Sequence, residues 1–274
     1  MSELLEYGPL VLGLLGAGAL AGLIAGLLGV GGGIVMVPAM ALAFQILGYD
    51  AGVYQHVAVG TSLAVIIATG TTSALAHHKR DSVLMDVVRL WAPFIIVASL
   101  VGGLMARWYS GDALRIIFGV VALFVALNVV LPIQKKMMSR LSESVSTHRI
   151  VAVFVGYISS LMGIGGGSLS VPTLAAFGHA MHKAVGTGAA LGVLLAVSGT
   201  VGFVVSGWSV EGRPPFSLGY VNVPALLLIG VVASAIAPLG AALAHKLDQV
   251  QLKRAFAVFL FVVGLRMIIQ AVTG

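Results

Sequence analysis

The sequence predicts an all-α polytopic membrane protein made of two inverted repeats of about five helical segments each, with glycine-rich breaks that form short or half-helices. Two observations lead to this fold class. Of the 274 residues, 59% are hydrophobic and only 9% are charged, whereas an ordinary soluble protein has about 25% charged residues. The chain also repeats two of its motifs in the same order. The composition excludes soluble enzymes, nucleic-acid-binding proteins and disordered proteins.

Ten apolar segments follow one another along the chain, separated by short polar stretches. A run of about 18 or more uncharged residues is long enough to cross a bilayer as a helix. Most segments reach that length, but the second and the seventh are shorter. We expect all ten to cross, with half-helices that stop near the middle of the membrane as the alternative for these two. The segments are residues 8–28, 34–47, 55–76, 87–106, 113–131, 148–162, 168–177, 183–206, 221–244 and 252–272.

The distribution of positive charge predicts how the segments are oriented. If all ten cross and the N-terminus is outside, eleven of the 15 Lys and Arg residues lie on the inner side. The outer side keeps Arg107, Arg115 and Arg213, and Arg266 lies within the last segment. An excess of Lys and Arg on the cytoplasmic side is the general pattern of membrane proteins. We therefore expect a multi-pass protein of the plasma (inner) membrane with both termini outside.

Two pairs of motifs indicate an internal duplication. GVGGGIVMVP at residues 29–38 recurs as GIGGGSLSVP at residues 163–172, and HVAVGT at residues 56–61 recurs as HKAVGT at residues 182–187. Because each half holds five segments, an odd number, the second copy must be inserted upside down relative to the first. Inverted repeats are common in secondary transporters, whose substrates bind near the midplane between the halves.

The duplication divides the chain into three parts. We expect a first transmembrane repeat at residues 1–134, a cytoplasmic connector at residues 135–149 and a second transmembrane repeat at residues 150–274. The connector is too short to fold into a domain of its own. Any function is therefore predicted to lie within the bilayer.

The triple glycines are the first candidate site. Each glycine costs about 1 kcal/mol relative to alanine inside a helix, and irregular backbone at membrane depth is tolerated only where it is buried or lines a cavity. Each motif is thus predicted to be a break followed by a helix whose N-terminal N–H groups suit an anion. Close helix packing is the alternative, and it is favoured for Gly18, Gly22 and Gly26. The candidate substrate-binding glycines are Gly31, Gly32, Gly33, Gly165, Gly166 and Gly167.

The second motif pair supplies polar candidates at the mouths of the third and eighth segments. Thr61 and Thr187 carry hydroxyls that can donate to an oxyanion, although a bond back to their own helix is the alternative. Ser62, Ser168 and Ser170 neighbour these motifs and are weaker candidates for substrate binding. His56 and His182 are candidates for a proton or anion relay, with a structural role at the interface as the alternative.

Charge within the segments favours an anionic substrate. Arg266 lies inside the last segment and is a third candidate for the relay, although it can also extend to the interface. No Asp or Glu lies in the middle of any segment, so a cation would find no counter-charge. The chain also has no cysteine, which excludes disulfides and thiolate metal sites. No cofactor, metal or nucleic-acid partner is predicted, only a small anion and the lipid bilayer.

The paired GxGGGxxxVP and HxAVGT motifs resemble the sulfite exporter TauE/SafE family of membrane permeases, over nearly the whole chain. The resemblance implies secondary transport of sulfur-containing anions such as sulfite, sulfonates or sulfoacetate, without ATP hydrolysis by the protein itself. It also implies that residues 31–33 and 165–167, together with Pro38 and Pro172, belong to the family motif. On this basis we expect an exporter of such anions that works by alternating access.

Other functions remain open at this point. An anion channel on the same scaffold would show flux that does not depend on counter-ion gradients, and a carrier of a different small organic anion would have the same architecture. A membrane scaffold would bind no solute. An intramembrane enzyme is disfavoured because the segments lack paired carboxylates, metal-spaced histidines and a nucleophile–base pair. The oligomeric state is left open.

The predicted orientation is testable because the chain has no native cysteine. In intact cells, an impermeant thiol reagent is expected to label the Thr273→Cys variant and not the Ser142→Cys variant. Labelling of Ser142→Cys alone would show that the protein is inserted the other way round.

Overall fold

The computed structural model describes residues 2–28, 32–131, 144–244 and 249–273. These residues form ten α-helices, a short 3₁₀ helix at Ala106–Trp108 and a two-stranded antiparallel hairpin. The helices are α1 (Ser2–Leu28), α2 (Gly33–Ile46), α3 (Ala51–His78), α4 (Met85–Met105), α5 (Gly111–Val130), α6 (Val145–Met162), α7 (Gly167–Ala176), α8 (Met181–Ser206), α9 (Val223–Ala244) and α10 (Gln249–Thr273). The hairpin strands are β1 (Ser217–Leu218) and β2 (Val221–Asn222), which lie between α8 and α9.

The all-α polytopic membrane fold is confirmed. Among the described residues, seven helices are long and apolar enough to cross a membrane, namely α3, α4, α5, α6, α8, α9 and α10. Each predicted segment corresponds to one helix. The second and seventh helices are short, with 14 and 10 residues, as the sequence predicts. Helix α6 begins at Val145, inside the predicted connector, whose earlier part lies outside the described residues.

Local sequence explains where the two short helices end. Helix α2 stops at a turn in which Gly48 has a φ of 77°, and α7 stops at a turn in which Gly178 has a φ of 86°. Asp50 then starts α3, because its side chain accepts a hydrogen bond from the N–H of Gly52 at 2.8 Å. Each short helix is thereby joined to the following long helix as a tight antiparallel pair.

Helices α3 and α8 form the centre of the bundle. They are the most buried of the candidate spans, since 67% and 56% of the residues in their apolar 18-residue stretches are buried. They run antiparallel, since Leu63 lies beside Gly199 and Gly70 lies beside Val193. Helices α5 and α10 are also antiparallel neighbours, with Gly119 packed against Gly264. Each of these pairs joins helices that carry equivalent positions of the two halves, but the inverted repeat itself stays a prediction.

Two further pairs are parallel and depend on glycine. Gly18 and Gly22 of α1 lie against Ile229 and Ala233 of α9. On the other side of the bundle, Gly156 of α6 packs against α4. Small residues let the helix backbones approach closely. The packing role predicted for Gly18 and Gly22 is therefore confirmed.

This packing generates a paired prediction. A β-carbon at Gly22 would lie 2.8 Å from the Cα of Ala233, whereas nothing lies within 4 Å of one at Gly16. Gly22→Ala is expected to lower the free energy of unfolding by about 1–3 kcal/mol through overpacking. Gly16→Ala serves as the control and is expected to be neutral or stabilising by up to about 1 kcal/mol. Thermal unfolding of the detergent-purified variants measures both, and equal behaviour would contradict the packing.

Candidate functional site

The two glycine-rich breaks meet in the interior of the bundle. A β-carbon on Gly33 would lie 2.5 Å from the carbonyl oxygen of Gly163 and 3.1 Å from the Cα of Ile164. All three residues are buried. The backbones of the two breaks are thus in direct contact, and only glycine at position 33 allows this approach.

Gly163 is held from both sides of this contact. It ends α6 in the left-handed region, with a φ of 67°, and its N–H and that of Ile164 bond to the carbonyls of Ser160 and Ser159 at 3.2 Å. Its own carbonyl accepts a hydrogen bond from the hydroxyl of Ser62 at 2.7 Å. Ser62, a predicted substrate-binding residue, therefore bridges α3 to the second break.

Both short helices begin near the middle of a long neighbour. Gly33, at the start of α2, lies against Ile66 of α3, and Gly166, before the start of α7, lies against Gly192 of α8. Because α3 and α8 span the bundle, the two breaks lie at mid-depth. Gly32 precedes α2 with a φ of 73°, whereas Gly31 lies outside the described residues.

Unpaired donors collect at the second break. The N–H groups of Gly165, Gly166 and Gly167 have no hydrogen-bond partner among the described residues. The hydroxyls of Ser168 and Ser170 have none there either, although these residues are only 5% and 0% exposed. Buried polar groups are normally hydrogen-bonded. These donors are thus free to bind a ligand.

The first break is less polar than the second. Ile34 and Met36, which match Ser168 and Ser170 in the repeated motif, are both fully buried apolar residues. Ser159 of α6 adds a further buried hydroxyl without a partner in the described part of the chain. The polar groups near the contact therefore come mainly from the second half and from α3.

Fixed charge is scarce in the described interior. Among the described residues, Arg115 is the only Lys, Arg, Asp or Glu that is buried, and its exposed fraction is 4%. Its guanidinium donates to Asp112 at 2.7 Å and to the hydroxyl of Tyr54. The charge pattern of the sequence predicts that Arg115 lies on the outer side but does not predict its burial. Its positive charge is paired with Asp112.

The first HxAVGT motif binds the segment that leads into α9. The hydroxyl of Thr61 accepts a hydrogen bond from the N–H of Asn222 at 2.9 Å. A β-carbon on Gly60 would lie 2.5 Å from the carbonyl oxygen of Tyr220. We call these four residues the first clamp, because the glycine admits the backbone and the threonine then bonds to it.

The second HxAVGT motif makes the same contacts with the segment that leads into α4. The hydroxyl of Thr187 accepts from the N–H of Leu84 at 2.9 Å, and Gly186 packs against the carbonyl oxygen of Ser82. These four residues are the second clamp. Since α3 and α8 are antiparallel, the two clamps lie on opposite sides of the central contact.

The clamps give the threonines partners that the sequence did not predict. Both hydroxyls accept a backbone N–H, which leaves their own hydrogen available to donate. Anion binding by Thr61 and Thr187 stays a prediction. The available signal was the glycine before each threonine in the motif, because it indicates a close backbone approach.

The histidines and Arg266 are placed differently from one another. His56 is 2% exposed, and its Nε2 donates to the carbonyls of Ala106 at 3.0 Å and Tyr109 at 3.1 Å. Its ring also stacks on Tyr220, with the ring centroids 4.8 Å apart. His182 and Arg266 are exposed. The structure does not bring these two residues to the glycine breaks.

Tyr220, which joins His56 to the first clamp, lies in the loop between α8 and α9. Burial raises the pKa of its phenol, although Arg107 and Arg213 partly oppose the shift. The ring therefore stays neutral across the physiological range and acts as a packing surface for the clamp.

The helices define a polytopic membrane protein, and sequence comparisons identify its class as a membrane transporter. The profile of the family Sulfite exporter TauE/SafE matches residues 14–267. The chain belongs to this family, as the motifs had indicated.

Curated relatives carry compatible names. The chain is 37% identical to a probable membrane transporter protein of Haemophilus influenzae, over 92% of this chain and 96% of the relative. It is 28% identical to the probable membrane transporter protein YunE of Bacillus subtilis, over 69% and 77% of the two chains. A probable membrane transporter protein of Methanocaldococcus jannaschii is 24% identical over 92% and 93%. No solved structure matches the chain. The family and these names point to a membrane transporter rather than an enzyme.

The clamps generate a prediction about stability. Thr61→Val and Thr187→Val each leave a backbone N–H unpaired and are expected to lower the free energy of unfolding by about 1–3 kcal/mol. The matched control is Thr71→Val, because Thr71 is exposed and bonds only to Ile67 of its own helix. Thermal unfolding is the measurement. Thr→Ser at both clamp positions is expected to restore most of the stability, and equal stability of all the Val variants would rule the clamps out.

Proposed function

We propose that the chain is a secondary transporter that exports small sulfur-containing anions, such as sulfite or organosulfonates, by alternating access. The observation that carries the proposal is the contact between the two glycine breaks at mid-depth, with unpaired N–H and hydroxyl groups beside it. The family description supports the class of substrate.

The chemistry of the break suits an oxyanion. The N–H groups of Gly165, Gly166 and Gly167 precede or open α7, where the helix dipole is positive. Ser168 and Ser170 add hydroxyl donors, and no Asp or Glu is buried among the described residues. A hydrogen bond to a charged ligand is worth about 1.5–3 kcal/mol. An oxyanion would satisfy these donors, whereas a cation would lose its hydration without compensation.

The helix arrangement supports alternating access. Helices α3 and α8, which carry the equivalent clamp motifs, are antiparallel neighbours, as an inverted repeat requires. We propose that residues 1–134 and 150–274 are the two repeats. The close contact at Gly33 leaves no room for a ligand between the breaks, so the halves must separate there to admit one. Release of one clamp while the other stays closed would open the site to one side at a time.

We also propose a location and an orientation for the protein. The positive charges of the loops support insertion in the inner membrane with both termini outside. The transport cycle described here requires the small anion and the bilayer, and the proposal includes no cofactor.

The serines at the second break provide the test. Uptake of labelled sulfite into liposomes that contain only this protein is expected, and Ser168→Ala and Ser170→Ala are each expected to weaken sulfite binding by about tenfold or more. Both variants are expected to fold normally, because neither hydroxyl has a partner in the described structure. Ser146→Ala, at an exposed position, is the control.

Four outcomes would contradict the proposal. Absence of flux for every sulfur oxyanion would show that these anions are not the substrates. Saturable flux of a cation would show that the site does not select anions. Rapid flux that is insensitive to counter-ion gradients would identify an anion channel on the same scaffold instead of a carrier. Unchanged affinity in both serine variants would place the site elsewhere.

A further inference from the structure

A glutamine on α3 is buried without any hydrogen-bond partner. Gln55 is 0% exposed, and both its Nε2 and its Oε1 lack a partner among the described residues. An amide that is buried in this way is costly unless something binds it. Among the described buried residues with unpaired side-chain atoms, only Gln55 offers a donor and an acceptor on two separate atoms of one rigid group.

The position of Gln55 relates it to the glycine breaks. On a helix, residues three, four, seven and eleven positions apart share a face. Gln55 therefore lies on the same face of α3 as Val59, Ser62 and Ile66. Val59 and Ser62 contact Gly163, and Ile66 contacts Gly33. Gln55 is thus about one turn beyond the central contact, toward the start of α3.

The duplicated scaffold does not require this amide. In the repeated motifs His56 corresponds to His182, so Gln55 corresponds to Met181, which is exposed. A methionine at the equivalent position shows that the helix itself forms without a glutamine. The polar group on α3 therefore serves a purpose that is specific to one side of the molecule.

The charged groups of the buried region indicate which kind of anion fits. The one buried cation of the described residues, Arg115, is already paired with Asp112. The cost of moving an ion out of water rises with the square of its charge, and neutral dipoles compensate a single charge far better than a double one. The carbonyl oxygen of Gln55 would also repel a fully deprotonated dianion. These groups suit an oxyanion with a single negative charge.

We infer that Gln55 binds the transported anion and that the anion is bound in its singly charged form. The inference rests on the proposed function. The Nε2 group donates to an oxygen of the anion, while Oε1 accepts from a hydroxyl of the ligand where the ligand carries one. Gln55 would then be a substrate-binding residue on the side of the central contact where α3 begins.

The first experiment compares Gln55→Met with wild type. Methionine has a similar length but no polar group, and it is the residue at the equivalent position of the second half. Isothermal titration with sulfite and with methanesulfonate is expected to show binding that is about tenfold or more weaker in the variant. The melting temperature of the ligand-free variant is expected to rise by about 2–4 °C, since no unpaired amide is buried. Gln45→Met, at an exposed position on α2, is the matched control and should change neither.

The second experiment tests the charge of the ligand. Sulfite changes from a monoanion to a dianion near neutral pH, whereas methanesulfonate stays a monoanion. The affinity for sulfite is expected to fall as the pH rises through this ionisation, while the affinity for methanesulfonate stays constant. The charged and polar groups at this end of α3 include His56, Tyr54, Arg115 and Asp112. Any pH-dependent change in the protein itself would alter the affinity for both ligands alike.

The outcomes separate this inference from the proposed function. Wild-type protein that binds neither ligand would overturn both. If Gln55→Met binds both ligands as tightly as wild type, only the role of Gln55 is overturned. The amide would then bind buried water instead of the anion. Affinity for sulfite that is constant or rises with pH would overturn the singly charged form.

Discussion

The structure depends on one constraint, which is that backbone polar groups inside a membrane must be satisfied by the protein. The carbonyl of Gly163 lies at mid-depth beyond the end of α6, and the hydroxyl of Ser62 from α3 satisfies it. The other break lies directly against it at Gly33. Residues of the first half thus shelter the irregular backbone at Gly163.

Glycine sets the distances throughout the bundle. Gly22 brings α1 onto α9, Gly202 brings α8 onto α4, and Gly264 brings α10 onto α5. Contacts made by backbone atoms without side chains are short and have few alternative packings. The clamps are different, because each also contains a hydrogen bond that can break and re-form. Each of these glycine-packed pairs joins a helix of the first half to one of the second, so movement is expected at the clamps rather than between the paired helices.

The two halves share a scaffold but differ in chemistry. Ser168 and Ser170 replace Ile34 and Met36 at the breaks. His56 is buried and bonded to two carbonyls, whereas His182 is exposed. The proposed duplication would supply matching helices and clamps, because these depend on glycine, threonine and apolar length, which both halves contain. The polar groups around the central contact are not needed for that scaffold, so they differ between the copies.

The sequence by itself determined the membrane class, the ten helices, the position of the breaks and the family, because apolar length, charge and glycine act locally along the chain. It also indicated Ser168 and Ser62 as polar residues of the break. Only the tertiary structure decided that Thr61 bonds to the backbone of Asn222, that Arg115 and Gln55 are buried, and that Arg266 is exposed. These features depend on how distant helices pack against one another. A local sequence pattern does not indicate which face of a helix contacts which neighbour.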